Sequence, residues 1–108
     1  MNDTEYDERV DAILIQIEDA LDVLDEREDI DIDYESADGM LTLIFANKTK
    51  IIINKQPPLH QIWVATKFNG HHFEFKDGVW IDNRSGEEFW TLLNDSATKQ
   101  AGETIKFN

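Results

Sequence analysis

The chain has 108 residues, 41% of them apolar and 31% charged, no cysteine, and a formal net charge of −13. That length fits one domain with a modest core, and eleven aromatic residues favour a globular fold over disorder. The missing cysteine excludes disulfides, thiolate metal sites and cysteine nucleophiles; the acidic start MNDTEYDERV lacks the apolar segment of a targeting peptide, and no apolar run approaches a membrane span, so a cytoplasmic protein is expected.

From Asp3 to Glu26 the apolar residues Tyr6, Val10, Ile13, Leu14, Ile17, Leu21 and Leu24 recur at helical spacing. At 100° per residue they fall within roughly 120° of arc. Asp7, Glu8, Asp11, Glu18, Asp19, Asp22, Asp25 and Glu26 occupy a separate arc, in which Ile15 is the apolar exception. The spacing predicts a long amphipathic helix with one core face and one acidic face.

The period then changes to two. Ile30, Ile32 and Tyr34 alternate with Asp29, Asp31, Asp33 and Glu35, predicting a half-buried strand with an acidic outer face. Ala37-Asp38-Gly39 supplies a turn. Strands are expected over 40–46 and 49–54, joined by a turn at Asn47-Lys48, and over 61–67 and 72–76, joined by a hairpin turn at Asn69-Gly70. Asp77-Gly78 leads into a short strand, 79–82. Ser85, with Glu88 three residues on, has the form of a capping box for a second helix whose buried stripe is Phe89, Leu92, Leu93 and Ala97. The fold class is α+β: a single domain, 1–108, with two helices packed on one face of an antiparallel sheet of about six strands.

Charge is distributed unevenly. Residues 1–38 hold 16 acids and 2 bases, a net of −14; residues 39–108 hold 7 acids and 8 bases, a net of +1. Such a field disfavours nucleic acid and anionic membrane and favours cations or basic protein surfaces. A solvated face that also blocks edge-to-edge aggregation is the plainer explanation. Against it, Glu18/Asp22 and Asp22/Glu26 are like-charged i,i+4 pairs costing on the order of 0.2–0.5 kcal/mol each. Acids in the last helical turn also oppose the helix dipole. A metal here would meet only oxygen ligands, which selects hard cations held weakly with waters retained. Asp29-x-Asp31-x-Asp33 mimics the start of a calcium loop, but Tyr34 replaces its glycine and Met40 its final glutamate.

A second clue lies in IIINKQPPLHQIWVAT. With Ile62 and Val64 directed to the core, alternation sends Gln61, Trp63 and Ala65 to the open face. There Trp63 either anchors a protein contact or packs on neighbouring strands, and Asn54, Lys55 and Gln56 could rim the patch. His71 and His72 are adjacent on a strand and point to opposite faces, which argues against a shared metal ion. No nucleophile–base pair is legible, so an enzyme is not expected.

Ile52-Ile53-Asn54-Lys55-Gln56, Pro58 and Gln61-Ile62-Trp63-Val64-Ala65 together resemble the signature of the frataxin family, and its bacterial (CyaY) branch is the closer likeness. Asp82-x-Arg84-Ser85-Gly86-Glu87 and Gln100-Ala101-Gly102-Glu103-Thr104 extend the resemblance over nearly the whole chain. It implies a non-enzymatic, iron-binding protein of iron–sulfur cluster assembly, monomeric when metal-free and open to iron-driven oligomerisation. Carried over by position, the ridge binding Fe2+ or Fe3+ would be Glu18, Asp19, Asp22, Asp25, Glu26, Asp29, Asp31 and Asp33. Glu18, Asp19 and Asp22 would also meet a basic surface of the cysteine desulfurase, with Trp63, Asn54, Lys55, Gln56 and Gln61 as further contacts and the scaffold protein as a second partner. Val23 and Arg27 depart from the family pattern. An acidic interaction module with incidental metal binding is the alternative.

Overall fold

A computed structural model describes all residues, 1–108. The first helix, α1, spans Asp3–Leu24, with the Asn2 side chain accepting a hydrogen bond from the Glu5 amide as its N-cap. Six strands follow: β1 (Ile32–Ala37), β2 (Met40–Phe45), β3 (Lys50–Gln56), β4 (Gln61–Ala65), β5 (Gly70–Lys76) and β6 (Val79–Asp82). The second helix, α2, spans Phe89–Ala101. The strands pair antiparallel in sequence order, so every connection is a hairpin or a short loop. No helix is long and apolar enough to cross a membrane.

Both helices cover the same sheet face. Tyr6, Val10, Ile17 and Leu21 of α1, and Phe89, Leu92, Leu93 and Ala97 of α2, pack with Leu41, Leu43, Ile51, Ile53, Ile62, Val64 and Phe73 in one core. Ile105 and Phe107 of the tail close its end. The α+β sandwich and the inward stripes are those expected from periodicity.

Several boundaries shift by one to a few residues from expectation. α1 stops at Leu24 rather than Glu26, and β1 starts at Ile32 rather than Ile30. Asp29 and Asp31 therefore lie in the connecting segment, although Ile30 is still buried. β4 ends at Ala65, because the Thr66 hydroxyl accepts hydrogen bonds from the Phe68 and Asn69 amides and makes a four-residue loop; Gly70 already pairs with Ala65. β3 runs on to Gln56, paired with Gln61.

Ser85 does not cap α2. Its hydroxyl donates to Asp82, and Gly86 has a φ of 77°, outside helical space. Glu88 is the N-cap instead, its carboxylate accepting from the Trp90 and Thr91 amides.

Candidate functional site

The acidic face of α1 divides into two halves. Toward its start, carboxylates are stitched to the rest of the fold: Asp3 to His60 at 2.7 Å, and Asp7 and Asp11 to the Lys55 ammonium at 3.0 and 3.1 Å. Burial alone would depress the Lys55 pKa, but hydrogen bonds to Asp7 and Asp11 outweigh it and raise it, so the charge is held. Beyond Asp11 the stitching stops. Glu18, Asp19, Asp22, Asp25 and Glu26 form no ion pair, and neither do Asp31 and Asp33.

Asp29 is the exception in the expected ridge. Arg27 grips it bidentately, Nη2 to Oδ2 at 2.7 Å and Nε to Oδ1 at 3.2 Å, and this hydrogen bonding lowers the carboxyl pKa. The base that interrupts the acidic run thus supplies one local counterion.

The eight expected ridge residues reach two concavities as well as open helix surface. Asp22 and Asp25 of α1 meet Asp33 and Tyr34 of β1 at a notch of about 170 Å³, floored by Leu21 and Ile32. Asp29 and Asp31 instead line a crevice with Asn47 and Glu103, beside the end of α2. Nowhere do three carboxylate or imidazole groups stand close enough to enclose one ion. Oxygen ligands in that arrangement suit a cation that keeps much of its water.

Tyr34, placed on the inward side of β1 by its period, is not among the expected site residues. Its parity directs it toward the helix side, opposite Leu43, where its hydroxyl donates to Asp22 Oδ1 at 2.9 Å. That hydrogen bond, aided by desolvation and by the charges of Asp22, Glu18 and Asp19, raises the phenol pKa. A half-buried tyrosine hydroxyl needs a partner, and the nearby acidic face was the available signal.

The second surface lies on the open face of the sheet. Trp63 stacks on His72, ring centroids 4.2 Å apart, and its indole Nε1 donates to Gln61 Oε1, whose amide donates in turn to Glu74. Trp63 therefore packs on a neighbouring strand while remaining half-exposed, and Gln61, expected at the surface, is buried beneath this network. Asn54 pairs with Trp63 and Gln56 with Gln61, placing both on the same face. Lys55 faces the other way, toward α1, and does not rim the tryptophan patch. His71 points to the helix side, bonded to Asp82 at 2.7 Å, so the two adjacent histidines are separated as their parity requires.

Comparison with known proteins adds a family to this geometry. The frataxin-like domain profile matches residues 1–103. The iron-sulfur cluster assembly protein CyaY of Pseudoalteromonas atlantica is 59% identical over 107 residues, covering 99% of this chain and 95% of that protein. Frataxin from Psychromonas ingrahamii superimposes with a TM-score of 0.86 at 45% identity, covering 100% of this chain and 99% of that one. Trimeric frataxin from Saccharomyces cerevisiae, in a structure complexed with ferrous iron, gives a TM-score of 0.72 at 31% identity over 92% of this chain and 87% of that one. With the fold, the motifs and these relatives in agreement, the chain belongs to the frataxin family, on its bacterial CyaY branch.

Proposed function

We propose that this chain is a cytoplasmic, non-enzymatic iron-binding protein of iron–sulfur cluster assembly. It serves as iron donor or iron-dependent regulator of the cysteine desulfurase and scaffold complex, acting through its acidic ridge. The observation that carries this reading is the end of α1 and the turn after it, where Glu18, Asp19, Asp22, Asp25 and Glu26 all stand without a counterion, whereas Asp3, Asp7 and Asp11 near the helix start are paired to His60 and Lys55. A relative named for cluster assembly and a ferrous-complexed family member support the direction.

The mechanism is electrostatic. Crowded carboxylates store repulsion that a cation or a basic surface relieves. Fe2+ or Fe3+ is cargo here, taken up by Glu18, Asp19, Asp22, Asp25, Glu26, Asp31 and Asp33 in varying subsets, with Asp29 contributing once Arg27 releases it. The basic surface of the desulfurase competes for Glu18, Asp19 and Asp22, so bound iron tunes docking without chemistry on this chain. Trp63, with Asn54, Gln56 and the buried Gln61 behind it, forms the contact surface for the scaffold protein.

Titrating the desulfurase with this chain, with and without iron, tests the reading. Iron is expected to change the affinity several-fold. An unchanged affinity would favour the alternative, an acidic interaction module whose metal binding is incidental.

A further inference from the structure

Ile15 stands at the centre of the acidic face, four residues from both Asp11 and Asp19 and three from Glu18, and 57% of it is exposed. Helix packing does not require it, since the core stripe runs through Tyr6, Val10, Ile17 and Leu21. A single exposed apolar side chain is ordinary. This one lines an open groove of about 460 Å³ between α1 and the β1–β2 turn. Leu14, Ile15, Ala37 and Gly39 supply its apolar surface, and Asp11, Glu18 and Asp38 rim it. Asp11 is shared with Lys55, whereas Glu18 and Asp38 have no ion pair. Gly39, at a φ of 71°, keeps the turn low over the Lys55 stem, which a Cβ there would approach to 3.4 Å.

Metal binding makes no use of an isoleucine, so the groove asks for a different ligand. We propose that it seats an apolar side chain of a basic protein partner, one flanked by lysine or arginine. Ile15 and Leu14 contact the apolar group, while Glu18 and Asp38 pair with the flanking cations. Charge complementarity selects the sign of the partner, and the groove selects a protein segment over a bare cation. The inference rests on the docking reading above only for the partner being a basic protein. It adds that the ridge reads side-chain shape as well as charge.

The test uses two capped synthetic peptides of equal charge, Lys-Arg-Leu-Arg-Lys and Lys-Arg-Ser-Arg-Lys, titrated into the full chain by NMR. The leucine peptide is expected to bind about five- to tenfold more tightly, the gain from burying roughly half of one aliphatic side chain in an open groove. Ile15→Gln keeps helix propensity and side-chain size, so its melting temperature should hold while the preference disappears. Val23→Gln, at an exposed apolar position outside the groove, should keep the preference. Equal binding of both peptides by the unmodified chain, no binding of either, or a preference surviving Ile15→Gln overturns the proposal. A desulfurase that fails to bind while the leucine preference stands would sink the functional reading and leave this inference intact.

Discussion

The Tyr34 hydroxyl donates a hydrogen bond to Asp22 across 2.9 Å, joining the edge strand β1 to the unpaired half of α1. A cation seated beside Asp22 takes electron density from the same oxygen that holds the phenol proton. The phenol pKa is raised in the free protein, so this hydrogen bond's contribution is complete below the ordinary tyrosine value and is lost as pH climbs through the raised one. Ridge-bound metal should lower that value. Spectrophotometric titration of the phenols with and without a redox-inert divalent cation measures this, and Tyr34→Phe should abolish the metal-dependent part.

Neutralising the notch should stabilise the free protein and cost it its ligands. Asp22→Asn with Asp25→Asn removes the Glu18/Asp22 i,i+4 repulsion, the Asp22/Asp25 i,i+3 one and two acids at the negative end of the helix dipole, while an amide oxygen at position 22 can still accept from Tyr34, for a net gain on the order of 1 kcal/mol. Thermal melts should show a higher midpoint, together with weaker iron and desulfurase binding. A lower midpoint would mean that weakening the Tyr34–Asp22 hydrogen bond costs more than the relieved repulsion returns, against the account.

Asp82 governs the acid limb of stability. Burial pushes its carboxyl up, but hydrogen bonds from His71 Nδ1, the Arg84 amide and the Ser85 hydroxyl outweigh burial and hold it below the usual aspartate range. Its contribution is present above about pH 4, the unfolded value, and is lost as pH falls through the depressed native one. Asp82→Asn should cost on the order of 1–3 kcal/mol at neutral pH and flatten the melting-temperature profile below pH 4. A thermal scan against pH checks both.

Tyr6 ties the start of α1 to the sheet. Its buried hydroxyl donates to the Gln61 carbonyl at 2.6 Å and accepts from the Gln56 amide at 2.9 Å, bridging the two strand ends around Pro57–Leu59. Tyr6→Phe orphans both groups and should cost about 1–3 kcal/mol in denaturant melts. Iron affinity should hardly change, since the ridge lies farther along the helix.

The parts of this molecule legible in its sequence are those governed by period. The inward stripe of α1, the order of the six strands and the opposite directions of His71 and His72 follow from spacings of 3.6 and 2. Competition for hydrogen bonds is not carried by period. The Ser85 hydroxyl donates to the Asp82 carboxylate and accepts from the Glu87 amide rather than from Glu88, so it closes the loop after β6, and α2 starts at Phe89 with Glu88 as its cap. Lys55 reads in the chain as a rim residue of the tryptophan patch, and only the approach of α1 turns it into a staple for Asp7 and Asp11. Arg27 looks like a break in the ridge until Asp29 folds back on it. The unpaired half of α1 was visible as charge density; that it stays unpaired depends on where eight distant bases come to lie.

The central claim is that the cation-accepting carboxylates are those between Glu18 and Asp33, all without an ion pair except Asp29. Titrating the 15N-labelled chain anaerobically with Fe2+ and following amide broadening tests it most directly. The account predicts early broadening over residues 18–33, with Tyr34 affected and the ion-paired stretch around Asp7 and Asp11 spared. Broadening that begins instead at His60, His71 or His72, or that spreads evenly over the chain, would contradict it.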